Sequence, residues 1–291
     1  MKWRTGTRSD NVIDARGGGG GGFGGGRGPR LGLGGIAVVV VIGLLLGKSP
    51  LEMLSLVGQV GGQGAATAEQ GGTPPANDEA ADFVRAILGE TETVWGDIFR
   101  QSGRSYEAPK LVLFSGAVES ACGSASAASG PFYCPADRQV YLDMSFFQDM
   151  QRQLGGGGDF AYAYVIAHEV GHHVQTLLGV SAQVQRARRA GQRVEGDGGL
   201  LVRQELQADC FAGVWANHAE RKLNWLENGD IEEALNTATA IGDDRLQQQS
   251  QGMVVPDAFS HGTSRQRVRW FRAGFESGDP ARCDTFSAAS L

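Results

Sequence analysis

The chain has 291 residues, 41% of them hydrophobic, and a formal net charge of −6. That length holds one substantial domain with accessory segments, or two small domains, and the mildly acidic balance excludes the basic face that nucleic-acid binding requires. Glycine is abundant at 45 residues, but much of it lies in the first 72 residues and in the run 155–158, so it marks linkers and not an unusual core.

Residues 1–30 carry Lys2, Arg4, Arg8, Arg16, Arg27 and Arg30 against only Asp10 and Asp14, around the run GGGGGGFGGG. Such a composition cannot bury a core and predicts a disordered Gly/Arg-rich head. Seventeen uncharged residues follow, LGLGGIAVVVVIGLLLG (31–47), at the short end of what spans a bilayer. Low-complexity sequence on both sides leaves this run no core to enter, so a single transmembrane anchor is expected. The basic flank precedes it, which predicts a cytoplasmic N-terminus and an exported remainder, periplasmic or extracellular. Residues 48–77 read as linker, and 78–291 as the exported domain. The four cysteines agree with export: Cys122 and Cys134 are expected to close a short loop, which leaves Cys210 to pair with Cys283.

The exported part opens with helical spacing (Phe83, Ile87, Val94, Ile98) behind Asp78 as N-cap. PKLVLFSG (109–116) and RQVYLD (138–143) read as strands flanking the cysteine loop, the second a candidate edge for an extended peptide. Helices are expected at MSFFQDMQRQL, ended by the glycine run, at 163–179, through LLVRQELQADCFAGVWANHAERK, through DIEEALNTATAIGDDRLQQQ and at SRQRVRWFRAGFES, with a polar segment over 181–197. The fold class is therefore α+β, mainly helical, with a small sheet. No repeat and no phosphate-binding glycine loop is present.

The chemistry concentrates in AYVIAHEVGHHVQTLLG (163–179). His168 and His172 are four apart, so on a helix they project from one face one turn apart, the spacing two imidazoles need to reach a single zinc ion. Glu169 lies on the adjacent edge, where its carboxylate can reach a water at such a metal. Ile166, Val170, Val174 and Leu177 form the opposite, apolar stripe. Gly171 is a poor helix residue whose presence implies close approach of another element. The five residues 168–172 form H-E-x-x-H, the zinc metallopeptidase motif. A catalytic zinc takes three protein ligands, and Leu178-Gly179 stand where the metzincin continuation would run, which excludes that class. The third ligand is expected in ELQAD: Glu205 and Asp209 share one face of an otherwise apolar helix, so that one carboxylate can ligate and the other accept the spare N–H of a ligand histidine. His173 reads as packing or rim, His218 as a cation at a helix end, and Tyr133 and Tyr141 as core.

HEVGHHVQ together with ELQADCFAGVWA, SACGSASAASGPFYCPADRQVYLD and HGTSRQRVRWF resembles the bacterial family of neutral zinc metallopeptidases, single-pass membrane proteins with an exported domain. More remotely, H-E-x-x-H with E-x-x-A-D resembles the gluzincins of the membrane heat-shock and CaaX-peptidase type, whose later H-P-x-x-x-x-R segment has a counterpart in His261 and Arg267, with Gly262 for the proline. The resemblance implies a gluzincin-like core, Zn²⁺ held by His168, His172 and Glu205, Glu169 as general base, and Asp209 as the outer partner of a ligand. It further implies that His261 and Arg267 contact substrate or the oxyanion. The activity expected is zinc-dependent hydrolysis of peptide or protein substrates. The alternative is a zinc-binding homologue without turnover that holds a partner at the membrane surface; Glu169 between the two histidines favours the enzyme.

Overall fold

The computed structural model describes residues 1–17, 71–126, 130–149, 151–152, 157–251 and 253–291. The expected anchor at 31–47, most of the linker and residues 18–30 of the head lie outside the described residues. Among the described residues no helix is long and apolar enough to cross a membrane.

The fold is mainly helical α+β. A 3₁₀ turn at Trp3–Thr5 leads to β1 (Val12–Asp14). Helix α1 (Glu79–Gln101) follows, its first turn capped by the Asp78 side chain accepting from the Ala81 amide. Then come β2 (Lys110–Phe114), the hairpin β3 (Ala117–Ser120) and β4 (Gly123–Ser126), β5 (Phe132–Cys134), β6 (Gln139–Asp143) and a single turn, α2 (Ser145–Asp149). The rest is helical: α3 (Asp159–Leu178), α4 (Val180–Arg189), α5 (Leu200–Leu223), α6 (Asp230–Ala240), α7 (Asp243–Gln251) and α8 (Ser264–Ser277).

The main sheet has the order β1-β2-β6-β5, with β1 and β6 parallel to β2 and β5 antiparallel to β6. Strand side chains alternate between faces. Leu111, Leu113, Val140 and Leu142 accordingly enter the core shared with the helices. Val112, Phe114 and Tyr141 enter a smaller one with Val118 of β3 and Cys134 of β5. Both faces are thus covered, which explains the unbroken apolar run in β2. Disulfides join Cys122 to Cys134 and Cys210 to Cys283.

Several expectations are corrected. The head is not disordered over residues 1–17. Trp3, Val12 and Ala15 are buried, β1 pairs with β2 in the register Val12↔Leu111, and Arg8 and Arg16 pair with Asp82 and Asp78 at 2.7 and 2.6 Å. These arginines find partners in the first turn of α1, so the local charge excess does not describe the folded chain. A strand hydrogen-bonded into the sheet lies on the same side of any membrane as the rest of the domain, so the expected arrangement of head and domain on opposite sides of a single crossing at 31–47 does not hold. Strand β6 is not an edge: it lies between β2 and β5, and β5 is the edge on that side. The helix expected over 230–249 is two helices, because Gly242 is pressed against the Ser264 amide, with 2.4 Å left for a Cβ. The polar segment 181–197 contains α4.

Two glycines set the helix packing that builds the site. A Cβ on Gly171 would lie 3.0 Å from the Ala208 carbonyl, so α3 and α5 approach almost backbone to backbone. A Cβ on Gly274 would lie 1.9 Å from the Cys210 carbonyl, which brings α8 against the same stretch of α5. Three helices therefore converge around residues 205–210.

Candidate metal centre

Because α3 touches α5 at Gly171, the imidazoles one turn apart on α3 look directly at the carboxylates one turn apart on α5. His168 Nε2 is 3.2 Å from Glu205 Oε2, and His172 Nε2 is 3.5 Å from Glu205 Oε1. One donor atom from each of these three residues lies within 4.8 Å of the others. His168 and Glu169 are buried, and His172 and Glu205 nearly so. Two imidazole nitrogens and a carboxylate, converging from two rigid helices, suit a zinc ion.

The far nitrogens of the imidazoles point outward to fixed partners. His168 Nδ1 lies 2.8 Å from Asp209 Oδ1, and His172 Nδ1 lies 2.9 Å from Gln175 Oε1. Asp209 is wholly buried and heavily bonded: Tyr164 Oη donates to Oδ1 at 2.6 Å, and Arg267 donates Nε to Oδ2 at 2.8 Å and Nη2 to Oδ1 at 2.9 Å. Burial works against this carboxylate, but Arg267 and His168 outweigh it and hold it ionised, down at about 2. Burial alone would lower the His168 imidazole; Asp209 and Glu205 overcome it and raise it to about 10. Glu205 is likewise held well below the carboxylate range, His172 and His168 prevailing over burial. For Glu169 burial prevails and its pKa is raised, the direction a general base requires.

The donors open into a cleft of about 470 Å³ whose wall includes Phe132, Tyr133, Phe146, Val165, Ile241 and Leu246. His261 also faces it, with Nδ1 3.2 Å from Asp243 Oδ1. Asp243 Oδ2 accepts the successive amides of Ser260, His261 and Gly262 at 2.7, 2.6 and 3.0 Å, which fixes the backbone that carries the imidazole. The hydrogen bond to Asp243 raises the His261 pKa.

The sequence-selected residues are thus brought together, with one reassignment. Arg267 touches the cleft wall, but its guanidinium is 3% exposed and spent on Asp209, Tyr164 Oη and the Ile241 carbonyl. It supports Asp209 and does not reach out to substrate. His173 is fully buried, tying Tyr133 Oη (3.1 Å) to the Glu107 carbonyl (2.6 Å), so it secures the edge strand to α3. His218 bonds the Gly278 carbonyl. Gln175, Tyr164 and Asp243 went unnoticed in the sequence. Tyr164 had a signal: it lies four residues before His168, on the same helical face.

A family model described as "Putative neutral zinc metallopeptidase" matches residues 1–286. The chain belongs to that family. The chain is similar to the uncharacterized protein YpfJ of Escherichia coli K12. The two are 51% identical over 289 residues, 98% of this chain and 99% of the relative. It is also similar to the uncharacterized protein Rv2575 of Mycobacterium tuberculosis H37Rv, at 45% identity over 223 residues, 73% of this chain and 74% of the relative. No solved structure matches the chain. The family's zinc agrees with the two-histidine, one-carboxylate donor set, and the family match begins at residue 1, within the N-terminal segment that carries β1.

Proposed function

We propose that the chain is a zinc-dependent peptidase held at a membrane surface by the apolar residues 31–47, with its domain working in an exported, oxidising compartment. The observation that carries the reading is the convergence of His168, His172 and Glu205 beside the buried Glu169 carboxylate at the floor of an open cleft. A zinc ion held there supplies Lewis acidity, polarising a carbonyl and making bound water acidic near neutral pH.

The chain's own groups do the rest. Glu169, raised by burial, accepts the proton of the attacking water and delivers it to the leaving amine. His261, oriented by Asp243, donates toward the developing oxyanion. Strand β5, the edge beside the cleft, offers its backbone to an extended peptide. The apolar wall favours substrates with large hydrophobic residues near the scissile bond. Both disulfides are consistent with an exported site.

The test uses the full-length chain in detergent, with zinc content measured and denatured protein or a peptide library as substrate. Wild type should hold one zinc per chain and cleave, Glu169→Gln should hold zinc without cleaving, and Glu205→Ala should lose zinc. Zinc binding without cleavage under any condition would replace this reading with that of a partner-binding homologue.

A further inference from the structure

Both ligand histidines must present Nε2 to the site, so each Nδ1 must carry its proton to an acceptor. Asp209 is that acceptor for His168. We infer that Gln175 is the positioning residue for His172, and that a buried relay through Gln207 ties that imidazole to the Cys210–Cys283 disulfide. The inference rests on the zinc reading above.

The orientations follow from the ends of the relay. A carboxamide can present either oxygen or nitrogen, but a backbone carbonyl can only accept. Gln175 Nε2 donates to the Gln204 carbonyl at 2.7 Å. That contact places Oε1 toward His172 and makes the imidazole Nδ1 the donor. Gln207 Nε2 donates to the Cys283 carbonyl at 3.0 Å, which turns its Oε1 toward Gln175 Nε2, 3.1 Å away. Every bond in the relay therefore runs outward, from His172 through Gln175 and Gln207 to Cys283. Gln175 is entirely buried and Gln207 nearly so, so a lost link leaves a buried polar group unpaired.

The last acceptor closes the short 3₁₀ turn Pro280–Cys283. Cys283 lies in the C-terminal segment, and its covalent partner Cys210 lies one residue after Asp209 on α5. The disulfide thus fixes the C-terminal segment to the helix that supplies Glu205 and Asp209, and the Cys283 carbonyl returns that fixed point to the second histidine. Both ligand histidines are referenced to the same stretch of α5, one by a carboxylate and one by two neutral amides.

The test measures zinc affinity of the full chain by competition with a chromophoric chelator, with the visible spectrum of the cobalt-loaded protein and the melting temperature of the metal-free protein as companions. Gln175→Leu should weaken zinc about 10–100-fold, the usual effect of losing an outer partner of a ligand histidine, and should alter the cobalt spectrum. Gln175→Glu keeps an acceptor for Nδ1 but loses the donations to the Gln204 carbonyl and Gln207, so it should recover only part of the affinity. Gln207→Leu and the paired Cys210→Ala/Cys283→Ala change should weaken zinc in the same direction, whereas Cys122→Ala/Cys134→Ala should not. If Gln175→Leu fails to fold, Gln207→Leu, one step removed from the ligand, decides. Zinc affinity within twofold of wild type in Gln175→Leu, or in Gln207→Leu where that variant decides, overturns this inference alone. A wild type that binds no zinc overturns the functional reading and this inference with it.

Discussion

Replacing Arg267 separates two roles that its position permits. The guanidinium is buried against a carboxylate that is itself 0% exposed, and it supplies two of the four bonds Asp209 accepts. Arg267→Met removes the compensating charge and strands Asp209 in the interior, a change that costs about 3–5 kcal/mol in comparable buried pairs. In a domain of this size about 1 kcal/mol corresponds to roughly 2–4 °C, so the melting temperature should fall by roughly 6–20 °C. The double change Asp209→Leu/Arg267→Met should recover much of that loss, because no unpaired charge remains. Its zinc affinity should nevertheless stay about 10–100-fold down, since His168 has lost its acceptor. Stability and zinc binding therefore part company in the double variant. Thermal unfolding of the metal-free chain and chelator competition read the two quantities. An Arg267→Met chain that melts within a degree or two of wild type and shows only a higher KM would refute this account and return the arginine to substrate binding.

Three further predictions follow from the same geometry. His261→Gln should retain zinc and lose about 10²–10³ in kcat, and Asp243→Ala should lower kcat in the same direction while also melting earlier, because three backbone amides lose their acceptor; a change in KM alone would place His261 in binding. Serines at Cys122 and Cys134 should cost about 2–4 kcal/mol in urea unfolding and raise KM, since the disulfide anchors the end of the cleft-side strand; an unchanged KM would exclude β5 from substrate binding. Glu90 is buried with one carboxylate oxygen unpaired, and burial raises its pKa from 4.5 to about 7. The folded state therefore favours the protonated acid, and stability is lost as pH rises from the unfolded pKa through the folded one. The advantage of Glu90→Gln should grow across that window to about 3 kcal/mol and then level off, whereas a pH-independent difference would show that Glu90 does not titrate there.

The metal-facing residues were legible because helical geometry does most of the placement. Four-residue spacing puts His168 above His172 and Glu205 above Asp209 whatever surrounds them, and Gly171 announced the close approach that brings the two pairs together. Groups that act through contacts distant in sequence were not legible. Gln175 is an unremarkable helix residue until Gln204, Gln207 and Cys283 surround it, and Asp243 acts on a loop some eighteen residues away. Arg267 was read toward substrate because its spacing from His261 suggested a shared role, yet His261 sits on the loop before α8 while Arg267 lies inside the helix and turns its guanidinium to Asp209. Strand β1 escaped because three residues among arginines and aspartates carry no periodic signal. Its stability comes from pairing with β2 and from Val12 in the core.

That first strand also sets the terms on which the protein can be cut. Asp14 and Gly72 bond to each other amide to carbonyl in both directions, at 2.7 and 3.0 Å, so the described stretches on either side of residues 18–70 meet at one point on the edge of the sheet. A fragment that starts at residue 78, where the globular composition begins, would discard β1 and Trp3, leaving the backbone of β2 unpaired as a template for aggregation. Excising 18–70 and closing the gap with a short flexible turn keeps the edge covered. The product should be a water-soluble domain with an intact metal site, and a chain cut at 78 that failed to fold or to cleave would say nothing about the enzyme.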